Sequence, residues 1–569
     1  MDKTRSARRR KAEGAHYTPA ALAEFVATHI VRAWEGVVEG PLKLLDPAVG
    51  DGSLLVALVK ELRNDYDGVL DVEGFDTSSE AIARAKQALS AIDTNVTLSL
   101  RVEDFLDAVA PSVASQDSLF SEPWSASGAV DMVIANPPYV RTQVMGAERS
   151  QRLAASFDLA GRVDLSFAFI RALGRVLKPE GVAGIIVSNR FMTTRAGASL
   201  RESIKSDFDI LSVYDFGDTR LFEAAVLPAV LILRRRSGKS ECAPAKYVSI
   251  YSTRDESENP RAIDAFQAIE TAGCHQLPSG ESFEVKHGRL DTGLSVGSVW
   301  RLATDEGDSW LSRVAANTVM TFSDAGPIRV GVKTTADKIF IRSDWDELPA
   351  GERPELLRPI ITHHGAKRYR TERKEGGPMV LYTHTVSQGK RVPVDLAVYP
   401  KAARYLEGHR ERLESRDYVA EAGRAWYEIW VPQDPEAWRL PKLVFRDIAE
   451  EPMFWIDREG AVVNGDCYWL AVDDGRVDLL YLAVAVGNST FIEAFYDHRF
   501  NNKLYAGRRR FITQYVQEFP LPNPDSEIAR KMIQIAKRLC DADSPNDSHR
   551  LASELDSLTW KAFGLGDKE

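Results

Sequence analysis

The sequence predicts an α/β protein. Its front half reads as a doubly wound, mostly parallel sheet, and its back half as mixed α and β structure. Three observations carry this. From residue 42 onward, apolar runs of strand length alternate with helical patterns. The first four strands each end at a polar or acidic residue, where open α/β sheets bind their ligands. From about residue 295 the alternation gives way to short strands, basic clusters interleaved with aromatics, and late amphipathic helices.

The first strand, Leu42 to Leu45, runs into Asp46-Pro47-Ala48-Val49-Gly50-Asp51-Gly52-Ser53 and a helical pattern from Leu54 to Leu62. Glycines in such a turn let the backbone approach a ligand at a helix N-terminus, although the third glycine of the dinucleotide fingerprint is missing. The second strand, Val69 to Phe75, ends at Asp76, an acid placed to accept both hydroxyls of a ribose. A helix from Ser79 to Leu89 follows, capped by Ser78 or Ser79. The third strand, Val96 to Val102, ends at Glu103-Asp104-Phe105, where Asp104 can accept from an adenine amino group and Phe105 can stack on its ring. The fourth strand, from Val130 to Ala135, ends at Asn136-Pro137-Pro138-Tyr139. Beyond it come a helix from Ala168 to Leu177, a turn at Lys178-Pro179-Glu180-Gly181 and a strand from Val182 to Val187.

Asn136 to Tyr139 is the most informative stretch. Asn136 offers a side-chain carbonyl to an exocyclic amine. Pro138 holds Pro137 extended, which can aim the Pro137 carbonyl at the same amine. Tyr139 supplies a stacking face. Taken singly, Asp46, Asp76 and Asp104 are as well explained as caps or solvated strand ends. Together, at successive strand ends, they describe a site.

Composition bounds the function. At 569 residues the chain is long enough for about three or four domains. Its formal net charge of -10 argues against a surface coated in nonspecific positive charge, yet leaves room for a local basic cleft. No run is apolar enough to span a bilayer and no signal peptide is present, so a cytoplasmic location is expected. Cys242, Cys274, Cys467 and Cys540 lack CxxC spacing and read as reduced packing residues, with no metal site expected.

These motifs resemble, in order, those of S-adenosylmethionine-dependent DNA adenine-N6 methyltransferases of the TaqI-like class. Gly14-Ala15-His16-Tyr17-Thr18-Pro19 resembles the family's N-terminal cofactor motif, and Asp46 to Ser53 its methionine-binding loop. Asp76 matches the ribose acid, Asp104-Phe105 the adenine-binding pair, and Asn136 to Tyr139 the catalytic motif. Arg162-Val163-Asp164-Leu165-Ser166-Phe167 and Ser188-Asn189-Arg190-Phe191 stand where the fifth and sixth motifs belong. The resemblance implies a Rossmann-like class I methyltransferase domain with a mostly parallel seven-stranded sheet over 1–240. A connecting region over 241–295 and an α+β target-recognition domain with C-terminal helices over 296–569 are expected after it. The implied cofactor is S-adenosylmethionine, held by Tyr17, Thr18, Pro19, Asp46, Pro47, Ala48, Gly50, Gly52, Asp76, Asp104, Phe105 and Asn136. The implied substrate is an adenine flipped out of duplex DNA, because a base inside the stack cannot reach such a pocket. Tyr139 would stack on one face. Phe222, in the loop before a strand from Pro228 to Leu233, is the candidate for the other, with Phe216 as the fallback; a core phenylalanine explains Phe222 equally well.

In the back half, Gly331-Val332-Lys333-Thr334-Thr335-Ala336-Asp337 resembles a segment of TaqI-like specificity domains, with Thr335 where a glycine is usual, ahead of a strand from Lys338 to Ile341. Two sets of basic residues interleave with aromatics. One holds Arg358, Lys367, Arg368, Tyr369, Arg370, Arg373 and Lys374 near His363 and His364; the other holds Lys503, Tyr505, Arg508, Arg509, Arg510 and Phe511. Lys333, Arg368, Arg370, Lys503, Arg508, Arg509 and Arg510 are therefore the candidate DNA contacts, against the bland alternative of a solvated charged surface. Helices are expected over Tyr399 to Leu413, Ser526 to Leu539 and Arg550 to Phe563.

The rivals are cytosine-N4 methylation, glutamine-N5 or RNA methylation with the same tetrapeptide, and a non-catalytic specificity subunit. The length of the back half disfavours the second, and the intact cofactor series the third. With the first cofactor motif at about residue 14, no nuclease is expected ahead of it. The implied role is modification of host DNA in a restriction-modification or phage-defence system, beside a separate cognate nuclease or other subunits, by a monomeric enzyme.

Overall fold

The structure is a computed structural model. It describes residues 18–36, 40–92, 95–110, 129–139, 147–159, 164–222, 227–238, 243–253, 261–293, 295, 297–370, 376–500, 508–541 and 545–566. The chain forms two compact units, one of residues up to Thr304 and one built on Asp305–Asn502 and Arg508–Glu569.

The first unit opens with helix α1 (Ala20–Ala33), then alternates β1 (Leu42–Asp46), α2 (Ser53–Leu62), β2 (Leu70–Asp76), α3 (Ser79–Ser90), β3 (Val96–Val102), α4 (Phe105–Val109) and β4 (Val130–Ala135). Helices α5 (Ala147–Ser156) and α6 (Leu165–Val176) lead to β5 (Leu177–Ser188), followed by α7 (Ala198–Asp207), β6 (Phe208–Asp215) and β7 (Pro228–Arg235). Polar side chains start three of these helices. Ser78, Asp104 and Asp164 accept from the backbone N–H of Ala81, Leu106 and Ser166, filling orphan donors of the first turn.

These seven strands lie in the order β6-β7-β5-β4-β1-β2-β3. Neighbours from β5 to β3 run parallel, whereas β7 is antiparallel to both β5 and β6. This is the class I methyltransferase sheet. The central strands β4, β5 and β7 are covered on both faces and read as near-continuous apolar runs, whereas β2 and β3 towards the edge alternate with polar residues. Leu44, Met132, Ile134, Val182 and Ile186 face a layer containing α1 and α2. Leu45, Val133, Ala135, Ala183, Ile185 and Val187 face a layer containing α6 and α7.

Two details depart from expectation. Lys178 to Gly181 form no turn between elements. They are an excursion inside β5: Leu177 pairs with Val130, the next pair is Val182 with Met132, and Glu180 adopts φ +65°. The segment 241–295 is also more than a connection. It carries β8 (Lys246–Ser252), β9 (Gly273–Gln276) and β10 (Ser282–Asp291), and with β11 (Arg301–Ala303) it extends the sheet to eleven strands. Tyr247, Val248 and Ile250 of β8 are buried, so their burial needs the edge of β6.

The second unit has an antiparallel sheet of Ile328–Val330, Cys467–Ala471, Lys442–Arg446 and Phe454–Asp457, and a second sheet of Ile341–Arg342, Met379–Leu381, Leu357–Ile361 and Val462–Val463. Residues expected as a strand from Lys338 form a single helical turn, Asp337–Phe340, and the strand shrinks to Ile341–Arg342. The expected helix from Tyr399 is broken at Gly408 into Pro400–Glu407 and Arg410–Glu414. Helices Val477–Gly487, Thr490–Phe500, Glu527–Asp541 and Pro545–Ala562 complete the unit. Among the described residues no single helix is long and apolar enough to cross a membrane.

Lys442 is wholly buried, donating to Asp457 Oδ2 at 2.8 Å and to the Trp438 carbonyl at 2.8 Å. Removing one member of a buried pair leaves the other uncompensated. Lys442→Met should therefore lower unfolding stability by roughly 3–5 kcal/mol in urea titration. A loss below about 1 kcal/mol would show that Asp457 finds other partners.

Candidate active site

Parallel pairing decides where the polar residues go. Asp46 ends β1 and pairs in register with Gly74, two residues before Asp76 at the end of β2. On the other side Leu45 pairs with Val133, so Asn136, just past β4, also stands about two residues above Asp46. Asp104 follows β3 beyond Asp76. Four strands thus deliver Asn136, Asp46, Asp76 and Asp104 to one edge of the sheet.

The turn after β1 wraps over the end of β2. The Val49 N–H donates to the Phe75 carbonyl at 2.8 Å and the Gly50 N–H to Asp76 Oδ2 at 3.1 Å. Gly50 and Gly52 both adopt left-handed φ, at +55° and +86°. A side chain on Gly52 would press on Ala85 of α3, whereas the space at Gly50 is open. Glycine is needed at both for the backbone conformation, and at Gly50 it also leaves room for a ligand. The α2 N-terminus follows directly.

Asp46 is fully buried. Its Oδ1 accepts from the Ala48 N–H at 2.9 Å, while its Oδ2 is buried without a hydrogen-bond partner. Burial pushes its carboxyl up to about 8, and the nearby Asp76 and Asp51 push in the same direction. An unpaired buried carboxyl oxygen is costly unless something polar meets it. The position is therefore fitted to a cationic or N–H-bearing ligand group.

Asp76 is half-buried and also accepts from the Ser78 N–H at 2.8 Å, which leaves lone pairs for hydroxyls. Asp104 is held by Leu106 N–H and by an ion pair with Arg149 of α5. Sequence reasoning missed Arg149, which stands 45 positions from its partner with no local pattern linking them. Phe105 is 1% exposed, with its ring against Phe75 and stacked on Phe169. It presents core packing, and no open ring face.

At the catalytic motif, Asn136 Nδ2 donates to Thr18 Oγ1 at 3.1 Å, which sets the amide with Oδ1 as the acceptor on its other side. The Tyr139 hydroxyl donates to that Oδ1 at 3.2 Å. Burial holds the Tyr139 phenol well above its usual range, with Asp164 adding to the effect, so it is a hydrogen-bond donor at neutral pH. Pro137 is buried and Pro138 half-buried. Thr18 and Pro19 stand at the start of α1, with Pro19 as its N-cap residue. Tyr17 lies outside the described residues.

Beside this, past β5, Asn189 is 4% exposed. Its Nδ2 donates to Asp215 Oδ1 at 3.0 Å and to the Tyr251 hydroxyl at 3.1 Å. Tyr251 donates to Asp215 Oδ2 at 2.7 Å. Burial raises the Asp215 carboxyl, against the pull of these donors. This network ties β5 and β6 to the added strand β8, and it could not be found without knowing that β8 joins the sheet.

The two aromatic candidates for a second stacking face are placed in the core. Phe222 is 8% exposed and Phe216 is fully buried, edge-on to Phe25. Both side chains belong to the buried cluster that contains the α1 layer.

In the second unit the candidate DNA contacts divide. Arg509 donates both Nε and Nη2 to Asp497 at 2.9 Å, and Nη1 to Glu493 at 3.1 Å. Arg510 makes a similar fork on Asp447, at 3.0 and 2.7 Å. Both are half-buried structural ion pairs, because the short strand Arg509–Arg510 pairs with Ile448–Ala449 and lays these side chains over acids. Arg368 bonds the Pro452 carbonyl at 3.3 Å with Glu451 and Glu493 nearby. Arg370 is half-exposed, Arg508 is exposed beside Glu450 at 3.9 Å, and Lys333 is exposed; Lys503 lies outside the described residues. Thr335 takes the glycine-like conformation, at φ +59°, and the buried Arg416 braces it by donating to the Thr334 carbonyl at 3.0 Å. Among the described residues no group of His, Cys, Asp and Glu could hold a metal ion.

Residues 71–222 match the Eco57I restriction-modification methylase family, and residues 397–521 match the TaqI-like C-terminal specificity domain. The type II methyltransferase M.BstVI of Geobacillus stearothermophilus is 24% identical over 85% of each chain. A cryo-electron-microscopy structure of a DrdV–DNA complex shares the fold, with a TM-score of 0.54 at 12% identity, over 95% of this chain and 60% of that one. The type II methyltransferase M.BanIII of Aneurinibacillus aneurinilyticus is 38% identical over 98% of each chain. A likeness of that degree, across both units and over the strand ends just described, means that this chain belongs to the type II restriction-modification methyltransferases, enzymes that use S-adenosylmethionine.

Proposed function

We propose that the protein methylates N6 of an adenine flipped out of duplex DNA, as the modification enzyme of a restriction-modification or phage-defence system. The observation that carries this is the Asn136 amide, oriented by Thr18 so that its Oδ1 is the acceptor at the edge of a sheet already lined with cofactor-type acids. S-adenosylmethionine supplies an electrophilic methyl group when bound. Asp46 would meet its amino end, Asp76 its ribose hydroxyls, Asp104 its adenine amine, and the Gly50 to Gly52 turn its main body. Asn136 Oδ1 and the Pro137 carbonyl accept the two N–H bonds of the target amine. That favours tetrahedral nitrogen and frees its lone pair to form the N–C bond as the methyl–sulfur bond breaks; a neutral thioether would leave and one amine proton would be lost to solvent. The chain's contribution is positioning and charge stabilisation. The target amine must displace the Tyr139 hydroxyl from Asn136 Oδ1, and the released ring then stacks on the base. Cytosine-N4 methylation needs little change in the pocket. Asn at the first motif position favours adenine.

Three outcomes test this. Asn136→Ala should lower methyl transfer from labelled cofactor into DNA by at least about a hundredfold while leaving cofactor affinity by calorimetry largely intact. Equal loss of both would assign Asn136 to the fold. Tyr139→Phe should keep most of the activity, because it keeps the ring and removes the competing hydroxyl, whereas Tyr139→Ala should lower it by about tenfold or more. Equal damage from both would contradict the stacking role.

The third concerns Asp46. Between the ordinary carboxylate value and about 8, the folded chain holds a proton here that the unfolded chain has lost. This group's contribution to stability therefore falls as pH rises through that window. Thermal melts of the cofactor-free protein should show Asp46→Asn gaining on the parent from pH 5 to pH 9. Calorimetry at neutral pH in buffers of different ionisation enthalpy should show proton release on cofactor binding that the variant lacks. Parallel melting profiles and no proton release would refute an acid held protonated for the cofactor's amine.

A further inference from the structure

Three segments far apart in sequence meet at one edge of the second unit. The Val332 N–H donates to the Val463 carbonyl at 2.7 Å, and the Gly331 N–H to the Cys467 carbonyl at 2.9 Å. The Asn464 N–H donates to the Ile361 carbonyl at 2.9 Å. The backbones are as close as they can be. A Cβ on Gly331 would fall 2.0 Å from the Asn464 carbonyl oxygen, and one on Gly465 would fall 2.9 Å from Lys333 Cγ. The loops Gly331-Val332-Lys333, Thr362-His363-His364 and Asn464-Gly465-Asp466 are therefore one surface, held rigidly from behind.

Its polar side chains are at least partly exposed. His363 Nδ1 bonds Asp466 Oδ2, which also accepts the His363 N–H at 3.4 Å. The carboxylate thus fixes the ring and leaves Nε2 as the outward nitrogen. The His363 side chain is 36% exposed. The His364 ring lies 3.8 Å from that of His363, centre to centre, and is exposed. Lys333 is exposed and Asn464 half-exposed. Lys333 follows directly on this anchored backbone and precedes the braced, left-handed Thr335, so its position is fixed by the fold. Strained backbone that the surroundings over-determine is concentrated at functional positions. An Asp-oriented imidazole, an amide and an ammonium thus stand on adjoining loops, each at least partly exposed.

We infer that His363, oriented by Asp466, together with Asn464 and Lys333, forms a base-reading site of the specificity unit. It rests on the DNA-modifying role proposed above. In the neutral ring the Nδ1 proton points to Asp466, so Nε2 accepts from an exocyclic amine of adenine or cytosine in the major groove. The Asn464 amide has the donor and acceptor pair that matches an adenine edge. Lys333 neutralises a phosphate and sets the register of the other two. This reassigns recognition away from Arg509 and Arg510, which hold acids of their own unit.

The test uses the full chain and duplexes carrying the site found by sequencing modified DNA from cells that express it, plus every single-base-pair variant of that site. His363→Ala should lower kcat/KM on the intact site about tenfold and relax discrimination at one base pair, with His363→Gln recovering part of the loss. Asn464→Ala should relax the same or the adjacent pair. Lys333→Ala should weaken binding uniformly and reduce the salt slope by about one. Cofactor affinity and melting temperature should stay at parent values throughout, which separates reading from folding. If His363→Ala and Asn464→Ala both leave rate and discrimination unchanged, or lower all duplexes uniformly, the site is not a reader while the methylation role stands. A parent protein that methylates no duplex overturns both.

Discussion

The structure depends on parallel pairing of β4, β1, β2 and β3. Parallel strands place all their carboxyl ends at one edge, and there the chain carries Asn136, Asp46, Asp76 and Asp104. The apolar side chains of β4, β1 and β2 are buried, so none of these three can slip in register without exposing core residues. The register that buries Leu44, Val72 and Met132 is thus the register that sets the heights of the acids. Stability and site geometry are one constraint. The cost is visible at Asp46, whose buried carboxyl keeps an oxygen unpaired. A fold selected only for stability would place an apolar residue or a second donor there.

The second unit solves a different problem. Several of its ion pairs are wholly or partly buried: Arg509 on Asp497 and Glu493, Arg510 on Asp447, Lys442 on Asp457. These forks fix the geometry of short strands that could not hold themselves by backbone pairing alone. Recognition that depends on a few anchored polar groups suits a protein of net charge -10, because nonspecific phosphate attraction stays weak beside base readout.

Legibility in the sequence followed locality. Asp46 to Ser53, Asp76, Asp104 and Asn136 to Tyr139 were readable because each follows its own strand within a few residues and the strand-helix alternation orders them. The class I sheet and the cofactor followed from the family resemblance that these motifs carry. Strand β8 was not readable as part of that sheet, since its partner β6 lies some thirty residues earlier and only contact with that edge explains its burial. The pairing of Arg510 with Asp447, or of Arg149 with Asp104, spans separations that no local periodicity reports. Phe222 shows the converse limit: an aromatic beside a strand looks alike whether it serves a base or the core, and here it is packed in the core.

The most direct test is nucleoside mass spectrometry of duplex DNA incubated with the purified protein and isotopically labelled S-adenosylmethionine. Label should appear in N6-methyldeoxyadenosine. Label confined to N4-methyldeoxycytidine would contradict the adenine assignment, and no labelled nucleoside at all would contradict the pocket at the sheet edge as a site of base methylation.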